Sequence, residues 1–218
     1  MDDQEHSLQD LQHIRKMMEN SSRFISLSGL SGVAAGVCAL VGAYVATQVM
    51  KNSPINIVDP SAVGLGDISL HALAGSKLIM IAIVTFITAF FASFLFTYLR
   101  SKRNNIPVWG PVAKRLLISV AIPMVAGGLY IFREIQLGHF GLVAPGCLIF
   151  YGLALVNASK YTLGEIRFLG YLQIVLGIIN CWFIGYGLYF WATGFGILHI
   201  IYGLFMWQKY ERGADRTK

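Results

Sequence analysis

Residues 168–208 read FLGYLQIVLGIINCWFIGYGLYFWATGFGILHIIYGLFMWQ, and these 41 residues contain no Asp, Glu, Lys or Arg. A single helix of that length would be about 60 Å long, whereas the hydrocarbon core of a bilayer is about 30 Å thick. The segment must therefore turn, and Gly185 and Gly187 near its middle supply the backbone freedom of a tight reversal. It predicts a transmembrane helical hairpin.

The composition of the whole chain agrees with this class. Of its 218 residues, 56% are hydrophobic and 13% are charged, whereas about 25% are charged in an ordinary soluble domain. The net charge of +6 is explained by basic loops at a membrane face, and we expect no nucleic-acid partner. The cysteines fall inside apolar segments, where we interpret them as small packing residues: Cys38, Cys147 and Cys181.

Four further apolar segments precede the hairpin, at 23–50, 78–99, 116–132 and 140–158. The prediction is an all-α integral membrane bundle of six transmembrane helices at 23–208. An amphipathic cytoplasmic segment at 1–22 precedes this bundle, and a cytoplasmic tail at 209–218 follows it.

The orientation follows from the distribution of Lys and Arg. Fourteen of them fall on one predicted face, and only Lys51, Lys77 and Arg133 fall on the other. Because basic residues concentrate in cytoplasmic loops, both termini are predicted to be cytoplasmic, in the inner (plasma) membrane.

The amino-terminal residues 4–20 show the pattern of an amphipathic helix. Leu8, Leu11, Ile14 and Met18 fall on one stripe, with charged residues around it. Two interpretations stay open. The helix either docks a partner or gates the bundle, or it lies on the membrane surface or packs under the bundle.

Small residues recur at helical spacing in several spans, and such spacing lets helix backbones approach closely in lipid. The helix that packs against these small residues belongs either to this chain, to a second copy or to another membrane protein. These ladders are Ser28, Gly32 and Gly36 in the first span, Gly170 and Gly177 in the fifth, and Gly196 and Gly203 in the sixth.

Polar residues form a stripe within the hairpin. Gln173 and Asn180 share one face of the fifth helix, and His199 lies among glycines of the sixth. Gln173 and His199 are both thirteen residues from Tyr186 at the turn, so we expect them to lie level and in contact, with His199 neutral. The stripe is either interhelical hydrogen-bonding glue or the lining of a polar cavity. Asn157 is a further candidate lining residue.

Two prolines lie within predicted spans, Pro123 in the third and Pro145 in the fourth. Proline removes a backbone hydrogen bond, so both are predicted helix breaks. They are read either as discontinuous helices of the transporter kind, whose exposed backbone groups bind substrate, or as ordinary kinks.

Short motifs recur in order along the second half of the chain. GLY, FG, YGL and KY appear between residues 128 and 161 and again between 187 and 210. The echo predicts a parallel repeat of a two-helix unit, with chance similarity among apolar helices as the alternative.

Catalytic and cofactor-binding motifs are missing from the sequence. There is no nucleotide-binding loop, zinc motif, nucleophile elbow or CxxC pair, and Glu134 and Glu165 are predicted to lie too far apart for an acid/base pair. The histidines do not predict haem. We therefore expect no enzyme activity, metal or cofactor.

The segment ALVNASKYTLGEIRFLGY at residues 154–171 resembles small uncharacterised multi-pass proteins of bacterial inner membranes. The resemblance implies the membrane class, and no activity or site residue follows from it. Two hypotheses remain for the function. The chain is a small-solute transporter or channel that uses the polar stripe, or a non-enzymatic scaffold or regulatory subunit that acts through helix packing.

Overall fold

The structure is a computed structural model that describes residues 28–52, 68–103, 109–210 and 212, with side chains in the second segment from residue 77 onward. The described residues form helices joined by turns, and they confirm the predicted all-α class. The predicted amino-terminal amphipathic helix lies outside them. The six helices are α1 (Gly29–Lys51), α2 (Ile68–Arg103), α3 (Pro111–Gln136), α4 (Val143–Ala158), α5 (Ile166–Trp182) and α6 (Ile184–Tyr210).

Five of these helices are long and apolar enough to cross a membrane: α1, α2 from Lys77 onward, α3, α4 with its preceding turn Phe140–Leu142, and α6. The remaining helix, α5, has 17 residues and is also apolar. At helical rise it is about 26 Å long, which is at the lower limit of a membrane span. The multi-pass membrane class is thus supported by the fold, while six crossings and their orientation stay predictions.

Helix α6 is continuous but changes its winding three times. A 3₁₀ turn at Ile184–Tyr186 leads into one α-helical turn at Gly187–Trp191, a π-helix follows at Ala192–Leu198, and an α-helix completes it at His199–Tyr210. Among the described helices, α6 therefore has the most irregular winding.

Neither proline interrupts its helix, so the interpretation of discontinuous helices is not supported, while a kink at Pro123 stays a prediction. Helix α3 runs through Pro123 from Pro111 to Gln136. Pro145 is the third residue of α4, within the first turn, where a backbone N–H has no acceptor in its own helix and proline removes no bond.

The helices pack in a connected series. Helix α1 packs on both α2 and α6, and α4 packs on both α3 and α5. Helix α6 joins these two groups, because its first half also contacts α4 and α5. The predicted hairpin repeat is not confirmed. α3 packs extensively on α4, whereas α5 makes its main contact with α4 and a smaller one with α6.

Glycines bring α1 and α6 into backbone contact. A Cβ at Gly36 would lie 2.7 Å from Gly196 O, and a Cβ at Gly203 would lie 2.6 Å from Gly29 O. The small-residue ladders of the first and sixth spans therefore meet each other, within one chain. A partner protein or second copy at these ladders remains a prediction.

The ladder of the fifth helix is used in the same way against α4. A Cβ at Gly170 would lie 2.8 Å from Gly152 O, and a Cβ at Gly177 would lie 2.6 Å from Ile149 Cγ1. Close approach of α4 and α5 leaves Gln173, which lies between these glycines, in the interior.

Apolar side chains cover the outside of the bundle, and polar side chains lie inside. On α2, Phe90, Phe91 and Phe94 are each more than half exposed, whereas Gln173 and Asn180 are fully buried. This distribution is the reverse of that in a soluble protein and suits a surrounding of lipid.

Candidate functional site

His199 lies where α6 changes from a π-helix to an α-helix. It is 6% exposed and contacts Tyr151 of α4 and Gln173 of α5. Tyr151 Oη is 2.8 Å from His199 Nε2, and Gln173 Nε2 is 3.4 Å from His199 Nδ1. Three helices therefore meet at one ionisable side chain within an apolar bundle.

The neighbours of the imidazole decide which nitrogen carries its proton. His199 Nδ1 is 2.9 Å from the carbonyl oxygen of Gly194, which can only accept a hydrogen bond. Nδ1 therefore carries the proton, and Nε2 accepts from the Tyr151 hydroxyl. Because the Gln173 amide nitrogen is also a donor, its approach to Nδ1 is a contact, and its hydrogen bond goes to Gly194 O at 2.7 Å. His199 is neutral in this arrangement.

The π-helix at Ala192–Leu198 produces this convergence on Gly194. A π turn pairs residue i with i+5 instead of i+4, and such turns are frequent at functional sites. Here the Gly194 carbonyl accepts from the side chains of Gln173 and His199. A Cβ at Gly194 would lie 2.5 Å from both Gln173 Oε1 and Leu148 Cδ2, so a larger residue would require these two side chains to shift.

Two amide side chains of α5 face two glycines of α6. Gln173 faces Gly194, and Asn180 Oδ1 lies 3.8 Å from the position of a Cβ at Gly187. Both amide nitrogens are used, since Asn180 Nδ2 donates to the carbonyl of Phe183 at 3.0 Å. Neither amide oxygen has a hydrogen-bond partner within the described part of the chain, although both residues are fully buried. We call Gln173, Asn180, Gly187 and Gly194 the amide seam.

The predicted stripe is present in part. Gln173 and His199 are in contact at the same level, as their distances from the turn predicted. Asn180 lies farther along the seam and bonds to Phe183 instead. Asn157 is half-buried near the carboxyl end of α4, and its side chain does not join the described hydrogen-bond network.

Tyr151 of the site and the nearby Tyr202 were not predicted as site residues. Tyr151 was noted only as part of a repeated motif, although a tyrosine in mid-span needs a partner for its hydroxyl, which is the signal that was missed. Tyr202 lies three residues after His199, and its buried hydroxyl has no hydrogen-bond partner in the described structure.

A second polar cluster joins the start of α5 to the end of α6. Glu165 Oε1 accepts hydrogen bonds from Lys209 Nζ at 2.5 Å and from Tyr210 Oη at 2.6 Å. Burial raises the pKa of Glu165, but the hydrogen bonds from Lys209 and Tyr210 outweigh burial and lower the pKa to about 2. This carboxylate is therefore ionised at neutral pH.

Among the described residues, no three His, Cys, Asp or Glu side chains converge as a metal site would require. The expectation that the protein needs no metal or cofactor stays a prediction. Comparison with models of protein families, with curated proteins and with solved structures finds no match for this chain.

Proposed function

We propose that the protein is a multi-pass membrane protein that carries small polar solutes across the bilayer along the amide seam. The observation that carries this proposal is the pair of fully buried, unpartnered oxygens, Gln173 Oε1 and Asn180 Oδ1. In lipid, a polar group without a hydrogen-bond partner is less stable than a paired one by several kcal/mol. This cost is on the order of that for moving a polar group from water into hydrocarbon. A passing solute with N–H or O–H donors would pair with them.

The neighbouring residues support the same proposal. An ionisable side chain at membrane depth is expensive and is a functional-site hypothesis by default, and His199 is such a residue. It stands at a π-helix, where the winding of α6 differs from that of the other helices. The seam also lies between two helices that pack only sparsely on each other.

The alternative function is a non-enzymatic scaffold or regulatory subunit. The backbone contact of α1 with α6 favours it, because the glycines there serve close packing. In that case the bonds among Gln173, His199 and Gly194 act as interhelical glue. Under either function we place the protein in the inner membrane with both termini in the cytoplasm.

Purified protein in phospholipid vesicles tests the proposal. Stopped-flow light scattering would measure entry of urea, a neutral donor-rich solute, and of methylammonium, a cationic one. We expect the wild type to admit at least one of them faster than protein-free vesicles do, and His199→Phe to remove that gain.

The matched control is Ile201→Phe, two residues along the same helix and 58% exposed on its outer surface. This variant should behave as the wild type does. If folded wild-type protein admits neither solute faster than protein-free vesicles, the transport proposal is wrong and the scaffold function is favoured.

A further inference from the structure

We propose that the amide seam selects small uncharged solutes with adjacent N–H or O–H donors, the chemical class of urea and of short polyols. This inference rests on the proposed function, since it names the substrates of the same site. It goes further by excluding cations, anions and solutes without a hydrogen-bond donor. Two independent features support it, the free groups of the seam and the charges around it.

The orientations of the two buried amides are fixed by backbone carbonyls. Gln173 Nε2 lies 2.7 Å from Gly194 O, and Asn180 Nδ2 lies 3.0 Å from the carbonyl oxygen of Phe183. Turning either amide over would bring its oxygen against a carbonyl oxygen, and neither of these two atoms could donate. The atom that each amide leaves without a partner is therefore its oxygen, which can only accept hydrogen bonds.

The donor atoms beside these oxygens already have acceptors. His199 Nδ1–H is held by Gly194 O, and the Tyr151 hydroxyl donates to His199 Nε2. Both amide nitrogens are bonded as well, whereas both amide oxygens have no partner in the described structure. A solute without donors would leave those oxygens unpaired, and an anion would also face their partial negative charge.

The helices that form the seam contain no charged residue at its depth. Helix α4 (Val143–Ala158) and residues 168–208 of α5 and α6 contain no Asp, Glu, Lys or Arg. The two acidic side chains of the described structure are already bonded, Glu134 to His139 and Glu165 to Lys209. A cation at the seam would thus find no described carboxylate to balance its charge, and an unpaired charge out of water is very costly.

The end of the bundle near Glu165 also repels cations. Because Glu165 contacts Lys209 and Tyr210, the start of α5 and the end of α6 lie at the same end of the bundle. Beside this one described carboxylate, four basic side chains are exposed there: Lys160, Arg167, Lys209 and Arg212. An excess of positive charge lowers the local concentration of cations, whereas it does not act on a solute without net charge.

The two free oxygens form two successive binding positions. Gln173 and Asn180 are seven residues apart, so they lie on the same face of α5 and about 10 Å apart along its axis. Each faces a position of α6 that carries no side chain, Gly194 and Gly187. An amide oxygen has two lone pairs, so each position can accept the two adjacent donors of a urea edge or of a diol.

Four solutes separate the effect of charge from that of donors. Urea and glycerol are uncharged donors, methylammonium is a charged donor, and trimethylamine N-oxide has no net charge and no donor. Stopped-flow light scattering measures their entry into vesicles with the full chain and into protein-free vesicles, with valinomycin and internal potassium to compensate the charge of methylammonium. We expect the protein-dependent entry of urea and glycerol to exceed that of the other two by about tenfold or more.

The variant Asn180→Leu tests the free oxygen directly. It removes this oxygen at similar side-chain volume, and we expect protein-dependent entry of urea to fall about tenfold or more. Thr88→Val is the matched control, since Thr88 is exposed on α2 and its hydroxyl bonds to Val84 O of the same helix. This control should enter urea as the wild type does. Unchanged urea entry in Asn180→Leu would overturn the role of the oxygen.

The comparison of solutes uses the wild type alone, so it holds whether or not Asn180→Leu folds. Entry of methylammonium or trimethylamine N-oxide through the protein as fast as that of urea overturns the selection of uncharged donors and leaves the transport function standing. Selective entry of urea and glycerol supports both proposals. If folded wild-type protein accelerates none of the four solutes, the transport function itself is wrong, and its selectivity with it.

Discussion

The Gly194 carbonyl oxygen holds the centre of the site, because it accepts from both Gln173 and His199 and thereby fixes the imidazole. The hydrogen bond from Tyr151 depends on this arrangement, since only the Nδ1–H form leaves Nε2 free to accept. The bond of His199 to Gly194 and the bond of Tyr151 to His199 therefore both depend on the position of the one imidazole proton.

We predict an energetic coupling between Tyr151 and His199. A double-mutant cycle with Tyr151→Phe and His199→Phe should give a coupling energy of about 0.6 kcal/mol, and at most about 1.7, as for other hydrogen bonds between membrane helices. Reversible unfolding in mixed micelles would measure it. The control cycle pairs His199→Phe with Tyr171→Phe and should show no coupling. Equal results from the two cycles would contradict the bond.

We predict that acidification weakens the contact between Glu165 and the end of α6. The pKa of Glu165 falls from its ordinary 4.5 to about 2 in the folded protein, so folding favours the ionised form. Its stabilisation is complete above about pH 4.5 and is lost as the pH falls toward 2. The midpoint of thermal unfolding in detergent should be lower for Glu165→Gln than for the wild type at pH 7. The two midpoints should approach each other at pH 3, and a constant difference would refute this origin.

Residue-level features were predictable where they depend on counting along a helix. The contact of Gln173 with His199 followed from their equal distances from the turn. The role of Tyr151 was not predictable in this way, because it comes from α4, and which helix packs against the hairpin is not encoded in local periodicity. For the same reason, the sequence does not show that the buried Tyr202 hydroxyl lacks a hydrogen-bond partner in the described structure.

Among the helices, the backbone contact of α1 with α6 has the clearest consequence for stability. We predict that Gly203→Ala lowers the free energy of unfolding by about 1–3 kcal/mol, since its Cβ would meet the backbone of Gly29 and Val33. The control is Gly128→Ala on α3, where nothing lies within 4 Å of the added Cβ. It should be neutral, or stabilising by up to about 1 kcal/mol through helix propensity. Unfolding in mixed micelles would compare both variants, and equal losses would show that the contact is not tight.

The ends of the helices were predictable where charged or polar residues border an apolar segment. The fourth span, 140–158, coincides with α4 and its preceding turn, because charged or polar turns border it on both sides. The π-helix was not predictable, since the apolar residues of Ala192–Leu198 fit an α-helical and a π-helical winding alike. The effect of Pro145 was misjudged because the sequence does not show which residue starts the helix.

For the bundle as a whole, the crossing pattern is the main open prediction. Introduced cysteines in a background without Cys38, Cys147 and Cys181 would test it with an impermeant thiol reagent. We expect labelling from outside at Leu137→Cys, which is 49% exposed in the turn after α3. Trp109→Cys, in the basic connection before α3 and 74% exposed, should react only after permeabilisation.

Ser101, in the last turn of α2, is unsuitable as a labelling position because it is 1% exposed. Labelling of Trp109→Cys from outside, with Leu137→Cys protected, would invert the predicted orientation.

The membrane class itself was predictable from composition, since a chain with so few charges cannot cover this many apolar helices with water-facing residues. The packing order of the helices was not, because small-residue ladders mark a close contact without naming its partner.

The π-helix also holds about one residue more than regular winding needs for the same rotation. Removing one residue, such as Thr193, would let α6 return to regular winding while its last twelve residues keep the direction in which they face. The shortened helix would still be apolar and long enough to cross a bilayer, and Gly203 would still face α1. However, the hydrogen bond of His199 Nδ1 to Gly194 O, five residues earlier, depends on the wide turn and would be lost. A one-residue deletion, which hydropathy alone would treat as silent, would thus preserve the packing face and dismantle the polar site.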